Sequence, residues 1–283
     1  MRLARRFLVT LYRYYLELAY AVKERFLWPV HVSLGGGLRI RLHPKGQIAR
    51  CLHDGSYEAI ECRLVARHLQ PGMVVIDIGA NIGLYSLIAD RLVRPTGRVW
   101  AIEPSQDSHE RLRDNLKLNS ADRVTTVKVA LSAKDDESAV LLRERGQLDG
   151  ERYLLPDGRA VENPADTESV PTISLDTFCK RRDIRVVNFI KMDVEGGEHE
   201  VFRGARETLA ANPELIMVFE HTREGCARAG TTPQAIVQLL AEHGLSLYAW
   251  NSEKNIWDSN HDYILSQGNA WATANRAKLP LLD

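Results

Sequence analysis

Neither net charge, cysteine nor a long apolar run organises this chain. Its 37 lysines and arginines balance 37 aspartates and glutamates, so no overall field favours nucleic acid, acidic polymers or an anionic membrane, and no nucleic-acid partner is expected. Cys51, Cys62, Cys179 and Cys226 form no C-x-x-C pair; neither a zinc site nor a disulfide framework can be read from them, and a reducing cytoplasm is the simplest setting. No internal repeat is present, which sets aside repeat arrays. The one locally basic stretch, residues 2–28, has its apolar run broken by Arg13 and Glu17. It is too polar for a spanning helix and a poor hydrophobic segment for an export signal, although Ala19-Tyr20-Ala21 resembles a cleavage site.

What is present is an ordinary globular composition. At 45% hydrophobic and 26% charged, 283 residues suffice for one large α/β domain and a short appendage. Phe7, Leu8, Leu11, Tyr15, Leu18 and Val22 recur at roughly helical spacing. Residues 1–29 therefore read as an amphipathic helix that packs on its own domain, on a homodimer mate, or reversibly on a membrane surface. Residues 30–70 read as a small hairpin, 30–34 and 38–42 about Gly35-Gly36-Gly37, and a leading helix over 57–69.

From 71 to 270 strands alternate with helices. The expected order is strand 73–78, helix 82–92, strand 98–103, helix 105–118, strand 124–131, an irregular insertion over 132–172, helix 175–181, strand 186–192, helix 198–210, strand 215–220 and helix 231–243. Two closing antiparallel strands come last, at 245–250 and 262–265, and 271–283 is left as a tail. Such alternation implies right-handed crossovers and a parallel sheet. The insertion is too long for a featureless connection, so it is expected to carry a hairpin, with 139–142 as one strand, and to act as a lid or as a solvated excursion.

The segment Asp77-Ile78-Gly79-Ala80-Asn81-Ile82-Gly83 sits where the first core strand becomes a helix, the place where open α/β sheets bind ligands. Gly79 would let the backbone approach a ligand closely, and Asp77 can accept hydrogen bonds or face a cation. A dinucleotide fingerprint would place glycines where this chain has Asn81 and Leu84, so a pyrophosphate is poorly served and an NAD-dependent enzyme is disfavoured. Glu103 ends the next strand, where such folds set a carboxylate on a ribose diol; the structural alternative is a charge near the following helix start.

The third segment, Lys191-Met192-Asp193-Val194-Glu195-Gly196-Gly197-Glu198, releases three carboxylates from an apolar strand. With the Asp77–Gly83 segment, Ser174-Leu175-Asp176-Thr177-Phe178 before it and Phe219-Glu220-His221 after it, it resembles the FkbM family of methyltransferases over residues 57–221. The family more often has Ala at position 197. The resemblance implies an α/β fold: a seven-stranded, mostly parallel Rossmann-like sheet with helices on both faces, S-adenosylmethionine across its first strand ends, and O-methylation of a carbohydrate, lipid or natural-product hydroxyl. The cofactor would be held by Asp77, Gly79, Asn81, Gly83, Glu103 and Asp193.

Methyl transfer to an alcohol also needs a proton acceptor. Asp193, Glu220 and His221 are the candidates, with Asp193 first. Glu195 and Glu198 suit a helix start, and Lys191 would pair with one of them. Asp193 and Glu220 could instead hold Mg²⁺, but no further ligand is identifiable and no metal is assigned. A protein of this fold that binds cofactor without turnover is the alternative function.

Overall fold

The computed structural model describes residues 18, 22, 25, 29–35, 37–42, 47–54, 56–143, 152–156 and 163–282. The amphipathic helix expected over 1–29 lies outside them except at Leu18, Val22 and Arg25, which are helical. Among the described residues no helix is long and apolar enough to cross a membrane.

Two compact units divide between Tyr57 and Glu58, so the leading helix belongs to the unit of the main sheet and not to that of the hairpin. The first unit holds the expected antiparallel hairpin, β1 (Val30–Gly35) and β2 (Leu38–Leu42), and a helix not foreseen, α1 (Gln47–Asp54).

The second unit begins with α2 (Ala59–His68), β3 (Val74–Ile78), α3 (Leu84–Val93), β4 (Arg98–Ile102), α4 (Gln106–Leu118) and β5 (Val124–Val127). The short strands β6 (Ala130–Leu131), β7 (Ser138–Arg143), β8 (Arg152–Leu154) and β9 (Thr167–Ile173) come next, then α5 (Leu175–Arg181), β10 (Phe189–Met192), α6 (Glu198–Arg203), α7 (Arg206–Ala211) and β11 (Ile216–Glu220). The chain closes with α8 (Arg223–Arg228), α9 (Pro233–Glu242), β12 (Ser246–Asn251), β13 (Ile256–Asp258), α10 (His261–Ser266) and β14 (Asn269–Thr273).

The main sheet has the order β13-β12-β14-β11-β10-β3-β4-β5. Its β11 to β5 half is parallel, and β14 inserts antiparallel between β11 and β12. Seven strands match the expectation; β13, paired antiparallel with β12, makes the eighth. Alternate strand residues feed two cores. Ile76, Ile78, Ile190, Met192, Met217 and Phe219 pack with Phe178, Val201, Phe202 and Leu209 of the helices on one face. Val75, Val99, Phe189 and Val218 pack with Leu64, Val65, Tyr85 and Val93 on the other. Burial on both faces is why these strands read as near-continuous apolar runs.

Four expectations change. The strand over 124–131 is two: β5 stays on β4, while β6 leaves to pair with β9 in a separate four-stranded sheet, β6-β9-β7-β8, built by the insertion. The helix over 198–210 breaks at Gly204, whose carbonyl accepts from the Asp176 N–H; a Cβ there would lie 2.3 Å from the Ser132 carbonyl oxygen. Residues 262–265 are helical, in α10, because the Asn260 side chain caps the helix by accepting from the Tyr263 N–H. The true closing strand is β14, running to Thr273, so the core does not stop at 270.

Candidate active site

Strand register builds the site. Ile102, Ile78, Met192 and Phe219 stand level across β4, β3, β10 and β11. The next residues therefore gather at the carboxyl edge: Glu103, Gly79 and Asp193 leave the sheet there, and Glu220 is the last residue of β11, still paired with Asn269 of β14. Their backbones stay tied to it, with the Gly79 N–H donating to Ile102 O at 2.9 Å and the Asp193 N–H to Ile78 O at 3.0 Å.

Gly79 has a packing role of its own. A Cβ at this position would lie 1.8 Å from the Asp193 carbonyl oxygen, and φ is +73°. The glycine thus lets two chain segments come close. Gly83, at φ +95°, likewise makes room for Leu112 of α4, 2.6 Å from where its Cβ would be. Between them Asn81 sits at φ 46°, a conformation that asparagine tolerates better than most residues.

Glu103 is buried, and its two oxygens accept from the Asn81 and Ser105 N–H groups, each at 2.9 Å. It therefore braces two loops, as the structural alternative supposed, while each oxygen keeps a second lone pair. Burial raises its pKa to about 7 against the lowering effect of those bonds.

Asp77 is buried and accepts from Ser86 Oγ at 2.6 Å, and burial raises its pKa. Lys191 stands level with it on β10. Its ammonium lies 3.2 Å from Asp193 Oδ2 and 5.1 Å from the Tyr85 ring centre. Lys191 thus pairs with Asp193 rather than with Glu195 or Glu198. Burial would lower its pKa, but the carboxylates of Asp193, Asp77 and Glu58 outweigh that and hold it above the ordinary value. Glu58 and Tyr85, which the sequence reading missed, complete this network, with Tyr85 Oη donating to Glu58. Nothing local marks Glu58; only the packing of α2 and α3 brings it to the strand ends.

Glu198 is 1% exposed, far from a solvated helix-start charge. It accepts from the Val194 N–H at 3.0 Å, and burial lifts its pKa to about 7. Glu220 is lifted further, to about 8, by burial and then by the charges of Asp193 and Glu198. His221 is buried, its pKa lowered by that burial, and neither ring nitrogen has a hydrogen-bond partner. Glu195, at φ 57°, lies 3.4 Å from Arg228 Nη2. One oxygen each of Asp193, Glu195 and Glu220 falls within 4.8 Å of the others, so Glu195 brings a third carboxylate beside the two that the sequence had singled out.

Around these carboxylates buried polar atoms go unmatched. Asp77 Oδ1, Asn81 Oδ1, Ser105 Oγ, Arg152 Nη2, Asp193 Oδ1 and Glu198 Oε2 all lack a hydrogen-bond partner. Natural interiors leave few such atoms, so a group of them beside the strand ends fits the hydrogen-bonding groups of a small polar ligand. Residues 77–247, more than half of the chain, match the methyltransferase FkbM domain. The chain belongs to this methyltransferase family.

Among FkbM relatives, the hexuronic acid methyltransferase AglP of Haloferax volcanii is 26% identical over 185 residues, covering 65% of this chain and 68% of that protein. The 31-O-demethyl-FK506 methyltransferase FkbM of Streptomyces tacrolimicus is 28% identical, covering 66% and 79%. The 2-O-methyltransferase NoeI of Sinorhizobium fredii is 27% identical, covering 50% of this chain and 60% of its own length. The family's Ser174-Leu175-Asp176-Thr177-Phe178 run is architectural here. Ser174 caps α5 by accepting from the Thr177 N–H, Leu175 and Phe178 are core, and Asp176 accepts from the N–H groups of Glu207 and Thr208 at the start of α7.

Proposed function

We propose that this methyltransferase uses S-adenosylmethionine to methylate a hydroxyl on a carbohydrate, lipid or natural-product acceptor. The observation that carries the reading is the set of unmatched buried atoms at the carboxyl edge, Asp77 Oδ1, Asn81 Oδ1, Ser105 Oγ and Asp193 Oδ1, beside the carboxylate of Glu103. These donors and acceptors suit a nucleoside and a cationic sulfonium, and nothing among them is built for a pyrophosphate. The names of the relatives, a hexuronic acid methyltransferase and two O-methyltransferases, support a hydroxyl acceptor.

Bound at this edge, the cofactor would supply an electrophilic methyl group. Glu103 would hold the ribose hydroxyls through its free lone pairs. Asp77 and Asp193 would counter the positive charge, and Lys191 keeps the two carboxylates from repelling each other. The acceptor's proton goes to Glu220. Asp193 is engaged by Lys191 at 3.2 Å, whereas the pKa of Glu220, about 8, makes it the stronger base near neutral pH. That reverses the order read from the sequence.

A folded sample should melt higher with S-adenosylmethionine or its demethylated product, by about 2.7 kcal/mol of added stability at a ligand concentration 100 times Kd. No shift with saturating ligand would remove the reading. A metal-assisted reading is favoured by the Asp193, Glu195 and Glu220 oxygens; turnover abolished by a chelator and restored by Mg²⁺ would establish it.

A further inference from the structure

The insertion over 132–172 meets α4. Arg152, on its strand β8, has a side chain only 9% exposed. Its Nη1 donates to Ser108 Oγ at 2.6 Å, on α4 just beyond Glu103. Its Nη2 has no hydrogen-bond partner and lies 3.6 Å from Asp107 Oδ2, beyond hydrogen-bonding distance. Burial works against the charge of this guanidinium, and Arg143 and Arg111 add to that, while Glu103 and Asp107 favour it. An arginine with a largely covered side chain, one nitrogen bonded to Ser108 and the other beyond hydrogen-bonding reach of its Asp107 partner, retains a donor for a further acceptor. Two more unmatched atoms, Asn81 Oδ1 and Ser105 Oγ, belong to the residues whose N–H groups grip Glu103.

The geometry points to Arg152 as a cofactor-binding residue contributed by the insertion, its Nη2 donating to an oxygen or ring nitrogen of the adenosine moiety. This rests on the cofactor reading above. The neighbouring Tyr153 lies under the Arg228 guanidinium, 4.6 Å from its ring centre, and Arg228 reaches Glu195. Consecutive residues of β8 therefore serve the nucleoside end and the carboxylate end of one site.

Calorimetry on wild type, Arg152→Ala and Arg152→Lys tests this with S-adenosylhomocysteine and with 5′-methylthioadenosine, which lacks the amino-acid end. Arg152→Ala should weaken both ligands by the same factor, roughly 10-fold to 100-fold, the size of a lost charge-assisted hydrogen bond. Arg152→Lys, which keeps the charge but not the planar fork, should recover only part of that. Affinities within twofold of wild type for both ligands would overturn the proposal, as would a loss confined to S-adenosylhomocysteine. If Arg152→Ala does not fold, Arg152→Lys decides alone: unchanged affinity at an unchanged melting temperature overturns the assignment. Wild type binding neither ligand would overturn the cofactor reading itself, and the assignment with it.

Discussion

At the residue scale, the site is governed by how much charge the carboxyl edge gathers and how little of it is compensated. Glu103 meets two backbone donors, and Asp193 meets Lys191, but Glu220 is surrounded by like charge. Replacing Glu103 with Ala should weaken cofactor binding by about 1 to 3 kcal/mol through lost charge-assisted hydrogen bonds, with Glu103→Gln losing less; calorimetry reads both. Because Glu103 also braces the loops at Asn81 and Ser105, the melting temperature without ligand should fall for Glu103→Ala. For catalysis, a base with a pKa of about 8 makes the rate rise with pH through that value and level off above it. Glu220→Gln should cut the transfer rate by roughly 10² or more and flatten that profile, with cofactor affinity within a few-fold of wild type. A normal profile in Glu220→Gln, with the rate lost instead in Asp193→Asn, would return the base to Asp193.

At the scale of elements, most of what the family motif contributes between β9 and β10 is capping. The Asp176 carboxylate accepts from the Glu207 and Thr208 N–H groups and from Thr208 Oγ1, so one residue of α5 holds the start of α7. Asp176→Ala should cost about 1 to 2 kcal/mol in denaturant unfolding, the scale of a lost helix cap, while leaving cofactor affinity unchanged. Equal stability would mean that water replaces these bonds without penalty. The same local chemistry explains where the element reading failed. Asn260 is a capping residue, and a run as short as Tyr263-Ile264-Leu265 fits helix or strand equally. In β14, Ala270 and Ala272 are fully buried with Trp271 between them, and alanine carries little strand signal of its own.

At the scale of the whole molecule, the raised carboxyl groups make stability depend on pH in an unusual direction. Glu103 and Glu198, at about 7, and Glu220, at about 8, hold protons that the unfolded chain gives up near 4.5. Between those values the native state binds more protons than the unfolded one, so stability falls as pH rises; below about 4.5 their contribution is fully present. Asp77 and Glu58 are raised as well and act in the same sense. The ligand-free protein should therefore melt at a higher temperature at pH 5.5 than at pH 8.5, and Glu198→Gln should shrink the difference. A melting temperature that climbs over this range would show that these groups are ionised in the folded state.

The sequence by itself determined the parts of this protein that are local. The apolar runs and punctuating residues placed β3, β4, β10 and β11, and with them the positions of Asp77, Glu103, Asp193 and Glu220 at or next to the strand ends. The capping chemistry of Ser174 and Thr232 was equally local. Only the tertiary structure decided which of these groups meet. Strand register levelled Ile102, Ile78, Met192 and Phe219. That register gave Lys191 to Asp193 and made Gly79 a packing necessity, and the fold drew Glu58 and Arg152 to an edge from which each is far away in sequence. Periodicity and turn preference act over a few residues, whereas register, burial and the field of neighbouring charges are set by segments that touch only once the chain has folded.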